Sequence, residues 1–484
     1  MSTLEIVRNQ KGGEVALHKG YEYTKNGKST ETQYWRCTQY SMTRCPGRMN
    51  SVGINVKKVL DHSHAPDVRK GNVRKVLENI RNRALSTTEP PRKILRNITC
   101  SIGRVSSVEL PSNINMTRGI RRIRNKTGVH PKNPKTLAEL VIDGDNALTL
   151  KGDLFVLYDN QSDTKRIVIF STNTNLSFLS YCDEWYMDGT FDVVPTIFKQ
   201  LYTIHGRRNK TYVPCVYVLA SGKDFFTYAE IFRKLKELQP RLKPKTVMVD
   251  FEQAAMKAIQ QTFPGVEVYG CFFHMCQCIY RHIQAQGLQS IYGEDENFAQ
   301  YMRCLAALAF VPPEEVVKRY EELKGLDFFK AKLSGKSAVD VGVQNLLSYF
   351  EKTWIGHFAR NRFVEPLFSI DLWNVYHQTL AFFPRTNNAV EAWHNAITIL
   401  FGVHHPCIYN FIEGIKKEQD AAEILIAKMM SGIPTDNKQS KKQIELGERL
   451  VAVVKMYKID DATFDIKDYL FGISSAISYP STKK

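Results

Sequence analysis

The spacing of apolar positions along this chain changes more than once, and each change marks a different kind of element. Near the N-terminus apolar and polar residues alternate. Residues 17–23 read as a strand, residues 24–30 as a polar turn around Asn26-Gly27, and residues 32–37 as a returning strand. A further short strand follows Met49. The period then becomes helical: Val73, Val76, Leu77 and Ile80 share one face, Pro90-Pro91 suits the first turn of a second helix, and residues 118–124 form a third candidate.

From Leu137 apolar runs return. Residues 153–158 and 166–170 read as paired strands, residues 176–182 as a short helix, and residues 184–188, 200–205 and 213–219 as three consecutive strands. An amphipathic helix over 224–238 stops before Pro240. A buried strand over 245–250 follows, then a helix from Glu252 to Phe263 closed by Pro264-Gly265. Three strands followed by helix, strand and helix predict a mixed sheet covered by helices. Residues 298–310, 313–324 and 341–358 are helical by period, with little that looks like strand. Another helix begins near Asn387, with Thr386 or Asn387 as its cap. Helices over 410–430 and 443–456 close the reading. The fold class is therefore α/β and multidomain: a small β-rich module, then a mixed sheet interrupted by an all-helical insertion.

Charge narrows the function. The chain of 484 residues carries 66 Lys and Arg against 49 Asp and Glu, a net +17. Residues 67–130 alone hold 15 basic against 4 acidic residues. That surplus favours a polyanionic partner, because neutralising phosphates releases condensed counterions. Three short basic helices suit a helix-turn-helix-like grip on double-stranded DNA. A solvated linker and a nuclear-import signal at Arg121, Arg122 and Arg124 are the other readings of this stretch. No apolar run is long enough to span a membrane and no signal-peptide pattern begins the chain, so the expectation is a soluble intracellular protein.

The 10 cysteines are scattered as in a reducing compartment, and two stand out by spacing. Cys37, Cys45, His62 and His64 follow C-x7-C-x16-H-x-H. Two thiolates and two imidazoles close a tetrahedral zinc shell with no open position, so the site is structural. The segment has little core of its own, and bound metal supplies its folding free energy. Arg44, Arg48, Lys57 and Lys58 in the same module could touch phosphate. A second pair, Cys271-x2-His274, reads either as core packing or as half a zinc site without a visible second half.

Three carboxylates make the remaining chemistry. Asp188 ends an apolar strand before Gly189, Asp250 ends another, and Glu391 lies in the first turn of a helix. Converging carboxylates suit Mg²⁺ or Mn²⁺, which take oxygen ligands and keep open positions for phosphate and water. The plainer readings are a turn aspartate, a helix N-cap and a dipole-favoured first-turn glutamate. Val390, Trp393, Ile397 and Leu400 should pack on the sheet, leaving Glu391 free to face metals while Asn387 and Asn395 orient it.

Two resemblances sharpen this. Gly20-Tyr21, Tyr34-Trp35-Arg36-Cys37, Cys45-Pro46 and His62-x-His64-x-Pro66 resemble a FLYWCH-type zinc finger. Asp188-Gly189-Thr190-Phe191, Asp250-Phe251-Glu252 and Cys271-Phe272-Phe273-His274 resemble the signatures of Mutator-like element (MULE) transposases, a family with a ribonuclease H-like core. The resemblance implies a DDE triad of Asp188, Asp250 and Glu391, with His274 beside it, that cuts DNA at element ends and joins the freed 3′ hydroxyls to a target. It implies structural Zn²⁺, catalytic Mg²⁺ or Mn²⁺, self-association on DNA ends and a nuclear location. The implied domains are the finger (10–67), a basic connector (68–135), the first part of the core (136–275), the helical insertion (276–384), the helix carrying the third carboxylate (385–402) and a helical tail (403–484). The rival is a domesticated transposase-derived transcription regulator that binds DNA through the finger without catalysis. A third reading is a nuclease acting on RNA hybrids, which leaves the finger without a clear role.

Overall fold

The computed structural model describes residues 2–9, 12–87, 89, 91–99, 108–127, 133–360, 362–435, 441–457, 464–477 and 479. The chain divides into two compact units, Met1–Asn133 and Pro134–Lys484.

The first unit opens with a six-stranded antiparallel sheet in chain order: β1 (Glu5–Arg8), β2 (Glu14–His18), β3 (Tyr21–Lys28), β4 (Gln33–Cys37), β5 (Arg48–Val52) and β6 (Asn55–Val59). A single helical turn, α1 (Tyr40–Thr43), separates β4 from β5. The strand expected over 17–23 is two strands, because the chain reverses at Lys19-Gly20, both at positive φ (46° and 79°). Glycine is required there: a Cβ on Gly20 would meet the Pro66 side chain at 2.9 Å. Asn26-Gly27 lies inside β3, and the turn comes later, closed by Ser29 N–H donating to Thr32 O at 2.9 Å. Tyr23, Trp35 and Met49 fill the small core, and the Trp35 indole N–H finds the Ser51 hydroxyl at 2.9 Å.

Three helices follow, as the periodicity predicts: α2 (Val68–Ser86), α3 (Pro91–Thr99) and α4 (Asn113–Thr127). Asp67 caps α2 by accepting the Arg69 N–H. Val76, Ile80 and Ala84 of α2 meet Ile94, Leu95 and Ile98 of α3 and Met116 and Ile120 of α4. One expected DNA contact belongs to this interior instead. Arg124 is buried and donates to the carbonyls of Ala84 (3.1 Å) and Thr87 (2.6 Å), tying α4 to the end of α2, whereas Arg121 and Arg122 are exposed.

The second unit is built on a seven-stranded mixed sheet. Its strands are β7 (Val156–Asp159), β8 (Ile167–Phe170), β9 (Glu184–Thr190), β10 (Gln200–Arg208), β11 (Thr211–Ala220), β12 (Thr246–Val249) and β13 (Glu267–Gly270). Their order is β13-β12-β9-β10-β11-β8-β7. β12 runs parallel to β9 and β13, and every other neighbouring pair is antiparallel. Helices α5 (Asn173–Ser180), α6 (Phe225–Leu238) and α7 (Gln253–Thr262) join these strands.

The insertion runs from α8 (Phe272–Ala285) through α9 (Gln289–Glu294), α10 (Glu296–Ala307), α11 (Val316–Lys324), α12 (Asp327–Ser334) and α13 (Ala338–Phe350) to α14 (Ile370–Trp373) and α15 (Tyr376–Leu380). It differs from expectation at one place. The helix predicted over 341–358 ends in a π turn at Glu351–Ile355, the chain turns at Gly356 (φ 94°), and a hairpin of β14 (His357–Ala359) and β15 (Arg362–Val364) follows.

The chain then returns to the sheet as α16 (Asn388–Phe401) and α17 (Ile408–Met430), whose Ile397, Phe401, Ile408 and Ile412 pack with Val168, Phe170 and Leu219. The last helices, α18 (Lys441–Val454) and α19 (Ile466–Ser474), share the insertion's core: Val454, Leu470 and Ile473 are buried in the same cluster as Leu305, Phe310 and Tyr320. No described helix is long and apolar enough to cross a membrane.

Candidate metal centres

The zinc ligands expected in the first unit are assembled at coordination spacing. Cys37 and Cys45 flank the α1 turn, and His62 and His64 follow β6. Cys37 Sγ is 3.2 Å from His64 Nε2, Cys45 Sγ is 3.4 Å from His62 Nδ1, and those two nitrogens are 3.3 Å apart. Ligands on a tetrahedral zinc ion lie about 3.3–3.8 Å from one another, from bond lengths of about 2.0–2.3 Å. The outer partners are in place too. With Nδ1 on a metal, His62 Nε2–H donates to Tyr23 Oη (2.8 Å), and with Nε2 on a metal, His64 Nδ1–H donates to Ala65 O (3.0 Å). Tyr21 stacks on His62 with centroids 3.7 Å apart. Gly47 leaves room for that ring, since a Cβ there would lie 2.5 Å from it. Burial pushes the Cys45 thiol up, but N–H donors from Ser63 and Gly47 outweigh it and bring it down to about 7. A thiol so placed is ready to bind as thiolate.

Of the basic residues named in the finger, Arg44, Lys57 and Lys58 are exposed. Arg48 is part-buried and donates to the carbonyls of Pro46 (3.2 Å) and Gly47 (3.0 Å). Arg44 and Arg48 gather around the Tyr40 ring, 5.5 and 4.8 Å from its centroid, and Arg36, which the sequence reading missed, joins them at 4.6 Å.

In the second unit the sheet itself brings two carboxylates together. Met248 pairs with Tyr186 across the parallel β9–β12 ladder, so two residues further on Asp250 comes level with Asp188. Side chains alternate along a strand, which puts Asp188 and Asp250 on the face that carries Tyr186 and Met248. Val390 of α16 packs on that same face, so the first turn of α16 arrives above the two aspartates. Asn387 fixes the arrival. Its side chain does not cap the helix but donates to Met187 O at 2.9 Å, while its backbone N–H donates to Cys271 Sγ at 3.2 Å.

The electrostatics are those of crowded acids. Burial, then the Asp250 charge, pushes the Asp188 carboxyl well above the usual range, and Glu391 adds to it. Burial raises Asp250, with the Lys223 ammonium opposing. Burial alone pushes Glu391 up to about 7. Neither plainer reading of the aspartates holds: Asp188 is buried within β9, and the residue at the N-cap of α7 is Glu252. Glu391 is three-quarters buried and its Oε1 has no hydrogen-bond partner. That oxygen lies 3.6 Å from His274 Nε2.

Among the described residues two groups have ligand atoms all within 4.8 Å of one another, the Cys37, Cys45, His62, His64 group and a Cys271, His274, Glu391 group; the acidic trio is not drawn so tight.

Two expectations about α16 fail. Asn395 is exposed and orients nothing, and Leu400 is exposed rather than packed. Instead His394, which the sequence reading left off the packed face, is buried, with Nδ1 3.6 Å from Asp188 Oδ2 and Nε2 3.3 Å from Thr203 Oγ1. Burial lowers His394 to about 4, so it is neutral beside Asp188. Thr203, opposite Asp188 on β10, also meets His205 Nε2 at 3.2 Å. The signal was the i, i+3 spacing of Glu391 and His394, which puts both on neighbouring faces of one helix.

Comparison with known proteins agrees with this division. The FLYWCH zinc finger domain model matches residues 6–65 and the MULE transposase domain model matches residues 184–278. Asp188 and Asp250 therefore stand in the span similar to a MULE transposase domain, which follows the span similar to a FLYWCH zinc finger, and Glu391 lies beyond the matched span. FLYWCH-type zinc finger-containing protein 1 of Mus musculus is 33% identical over 64 residues, 13% of this chain and 10% of that protein. The Homo sapiens protein of the same name is 31% identical over 105 residues, 20% of this chain and 14% of that protein. The chain thus spans only a small part of the length of these relatives. The solved Drosophila P element transposase strand transfer complex aligns over 83% of this chain and 91% of its own at 11% identity and a TM-score of 0.22, a likeness too slight to carry an argument.

Proposed function

We propose that this chain is a DDE-type DNA transposase that binds element ends and catalyses metal-dependent strand cleavage and strand transfer. The observation that supports the reading is the level of Asp188 and Asp250 across the parallel β9–β12 ladder, with the charges of Asp250 and Glu391 both acting on Asp188 and each carboxyl held above its ordinary pKa. The strand order, with β9, β10 and β11 antiparallel and β12 and β13 added parallel beside β9, is that expected of a ribonuclease H-like core.

The residues fit hard cations. Carboxylates that are buried, that repel one another and that include an oxygen without a partner are stabilised by a nearby divalent charge. Asp188, Asp250 and Glu391 would hold Mg²⁺ or Mn²⁺, which when bound there activate water and then a DNA 3′ hydroxyl against phosphodiesters. The chain's own groups do the positioning. Gly189 N–H donates to Asp188 Oδ1 at 2.8 Å, neutral His394 flanks the other oxygen, and Asn387 pins the glutamate's helix to the aspartate's strand. Lys223 adds a positive charge beside both aspartates.

The partner is double-stranded DNA in the nucleus, gripped by Arg44, Arg48 and Arg36 around Tyr40, by Lys57 and Lys58, and by Arg121 and Arg122 of α4; self-association on paired ends completes the reading. The test is strand cleavage of terminal-inverted-repeat DNA with Mn²⁺. Asp188→Ala, Asp250→Ala and Glu391→Ala should each abolish it, and retained cleavage in all three overturns the assignment. A domesticated regulator is the second reading, favoured by curated relatives that are named as zinc finger proteins. It requires site-selective DNA binding unchanged by the same three substitutions and no cleavage by the parent chain.

A further inference from the structure

The half site at Cys271-x2-His274 has a third member that only the fold supplies. Cys271 sits where β13 passes into α8, His274 in the first turn of α8, and Glu391 in the first turn of α16. A sulfur, a ring nitrogen and a carboxylate oxygen from these residues all lie within 4.8 Å of one another. Two atoms of the group, His274 Nδ1 and Glu391 Oε1, are buried without a hydrogen-bond partner. The third is prepared as an acceptor: Cys271 Sγ receives the Asn387 N–H at 3.2 Å, and the N–H groups of His274 and Phe273 in the helix's first turn also turn to it. Buried polar atoms left unpaired cost about 1–3 kcal/mol each, and a cation held by His274 Nε2, which lies 3.6 Å from Glu391 Oε1, would pair that oxygen.

We propose that Cys271, His274 and Glu391 form a second zinc site, distinct from that of the finger, with three protein ligands and an open fourth position, and that filling it withdraws Glu391 from Asp188 and Asp250. The ligand set is thiolate, imidazole and carboxylate, a mixture that suits Zn²⁺ and that Mg²⁺, which prefers all-oxygen shells, does not take. The three atoms, all within 4.8 Å of one another, stand near the tetrahedral spacing of about 3.3–3.8 Å. Glu391 has one carboxylate to give. A chain with zinc on Cys271 and His274 therefore offers the catalytic cations two aspartates rather than three carboxylates. That consequence rests on the transposase reading; the site itself does not.

The test counts metal first. Full-length protein equilibrated with Zn²⁺ and dialysed against zinc-free buffer should retain two zinc ions per chain by atomic emission. Cys271→Ser, His274→Ala and Glu391→Gln should each retain one, the finger's, while Asp250→Ala retains two. In Co²⁺-substituted protein the sulfur-to-cobalt absorption should fall by about a third in Cys271→Ser, from three thiolates to two. A parent chain with one zinc, a second zinc that survives both Cys271→Ser and His274→Ala, or one lost in Asp250→Ala overturns the site. Near-ultraviolet circular dichroism checks that each variant is folded, and Glu391→Gln, which keeps the size of a side chain that is one-quarter exposed, covers a folding failure of the other variants. Added Zn²⁺ should then inhibit Mn²⁺-dependent cleavage in the parent chain and not in Cys271→Ser. Absence of any cleavage in the parent chain counts against the transposase reading and leaves the zinc count standing.

Discussion

The finger and the acidic trio are both metal centres in prospect, and they are built in opposite ways. In the finger four ligands from a stretch between residues 37 and 64 stand 3.2–3.4 Å apart where measured, each histidine already held by a partner on its far nitrogen. In the trio, residues between 188 and 391 are brought level by a parallel ladder and a returning helix, and they repel one another. The difference is that between a site that makes the fold and a site the fold makes. The small sheet carries four ligands set for zinc beside a core of few residues, whereas the large sheet stands on its own extensive core and holds three acids above their ordinary pKa.

The largest effect should separate the two at once. Chelation of the full chain, or Cys37→Ser, should unfold the finger, since structural zinc contributes on the order of 10 kcal/mol to so small a module. Limited proteolysis should then cut within residues 6–65 and spare the second unit; a finger that resists protease without metal breaks the comparison. In the trio, by contrast, Asp188→Asn should reduce Mn²⁺-dependent cleavage by about 10³-fold or more while leaving the fold intact, read by single-turnover cleavage beside thermal unfolding.

Smaller effects come from residues that position rather than coordinate. Arg124→Met should destabilise the first unit by about 2–4 kcal/mol by removing a buried guanidinium and orphaning two carbonyls, whereas Arg121→Met should cost under about 0.5 kcal/mol and weaken DNA binding instead; urea melts and salt-dependent binding tell them apart. Asn387→Ala should cost about 1–2 kcal/mol and slow cleavage, by freeing α16 from Met187 O.

The smallest is a pH effect at Glu391. Its folded carboxyl keeps a proton up to about 7, against an ordinary value of 4.5, so the folded state binds more protons in that window and loses stability as pH rises through it. Glu391→Gln, compared in the Cys271→Ser background without added Mg²⁺ or Mn²⁺, should therefore melt a few degrees higher than its parent at about pH 8, the gain vanishing near pH 4.5. A gain that persists at low pH would mean packing, not ionisation, is responsible.

Much of this was legible along the chain. The finger's ligands are near neighbours in sequence, and spacing alone identified them. The helices of the connector and the strands β7 to β12 follow from period, because an amphipathic face needs only local residues to declare itself. Legibility fails where a distant partner decides. Arg124 looks like its neighbours Arg121 and Arg122 until α2 is packed against it. Residues 17–23 read as one strand until Pro66 crowds Gly20. The last two helices complete a core that lies in the insertion, as Leu470 and Ile473 buried in one cluster with Leu305 illustrate, and no local pattern shows that partner.

Sequence by itself determined the element order, the basic surplus, the Cys and His set of the finger, and which acids could meet, since each is a property of residue type and short-range spacing. Tertiary structure alone decided that Asp188 and Asp250 share a level on one face, that His394 and Thr203 flank Asp188, and that Glu391 gathers with a cysteine-histidine pair. The reason is that strand register and helix docking are set by the fit of side chains from remote segments, here Tyr186, Met248, Cys271 and Val390, and no local pattern encodes that fit.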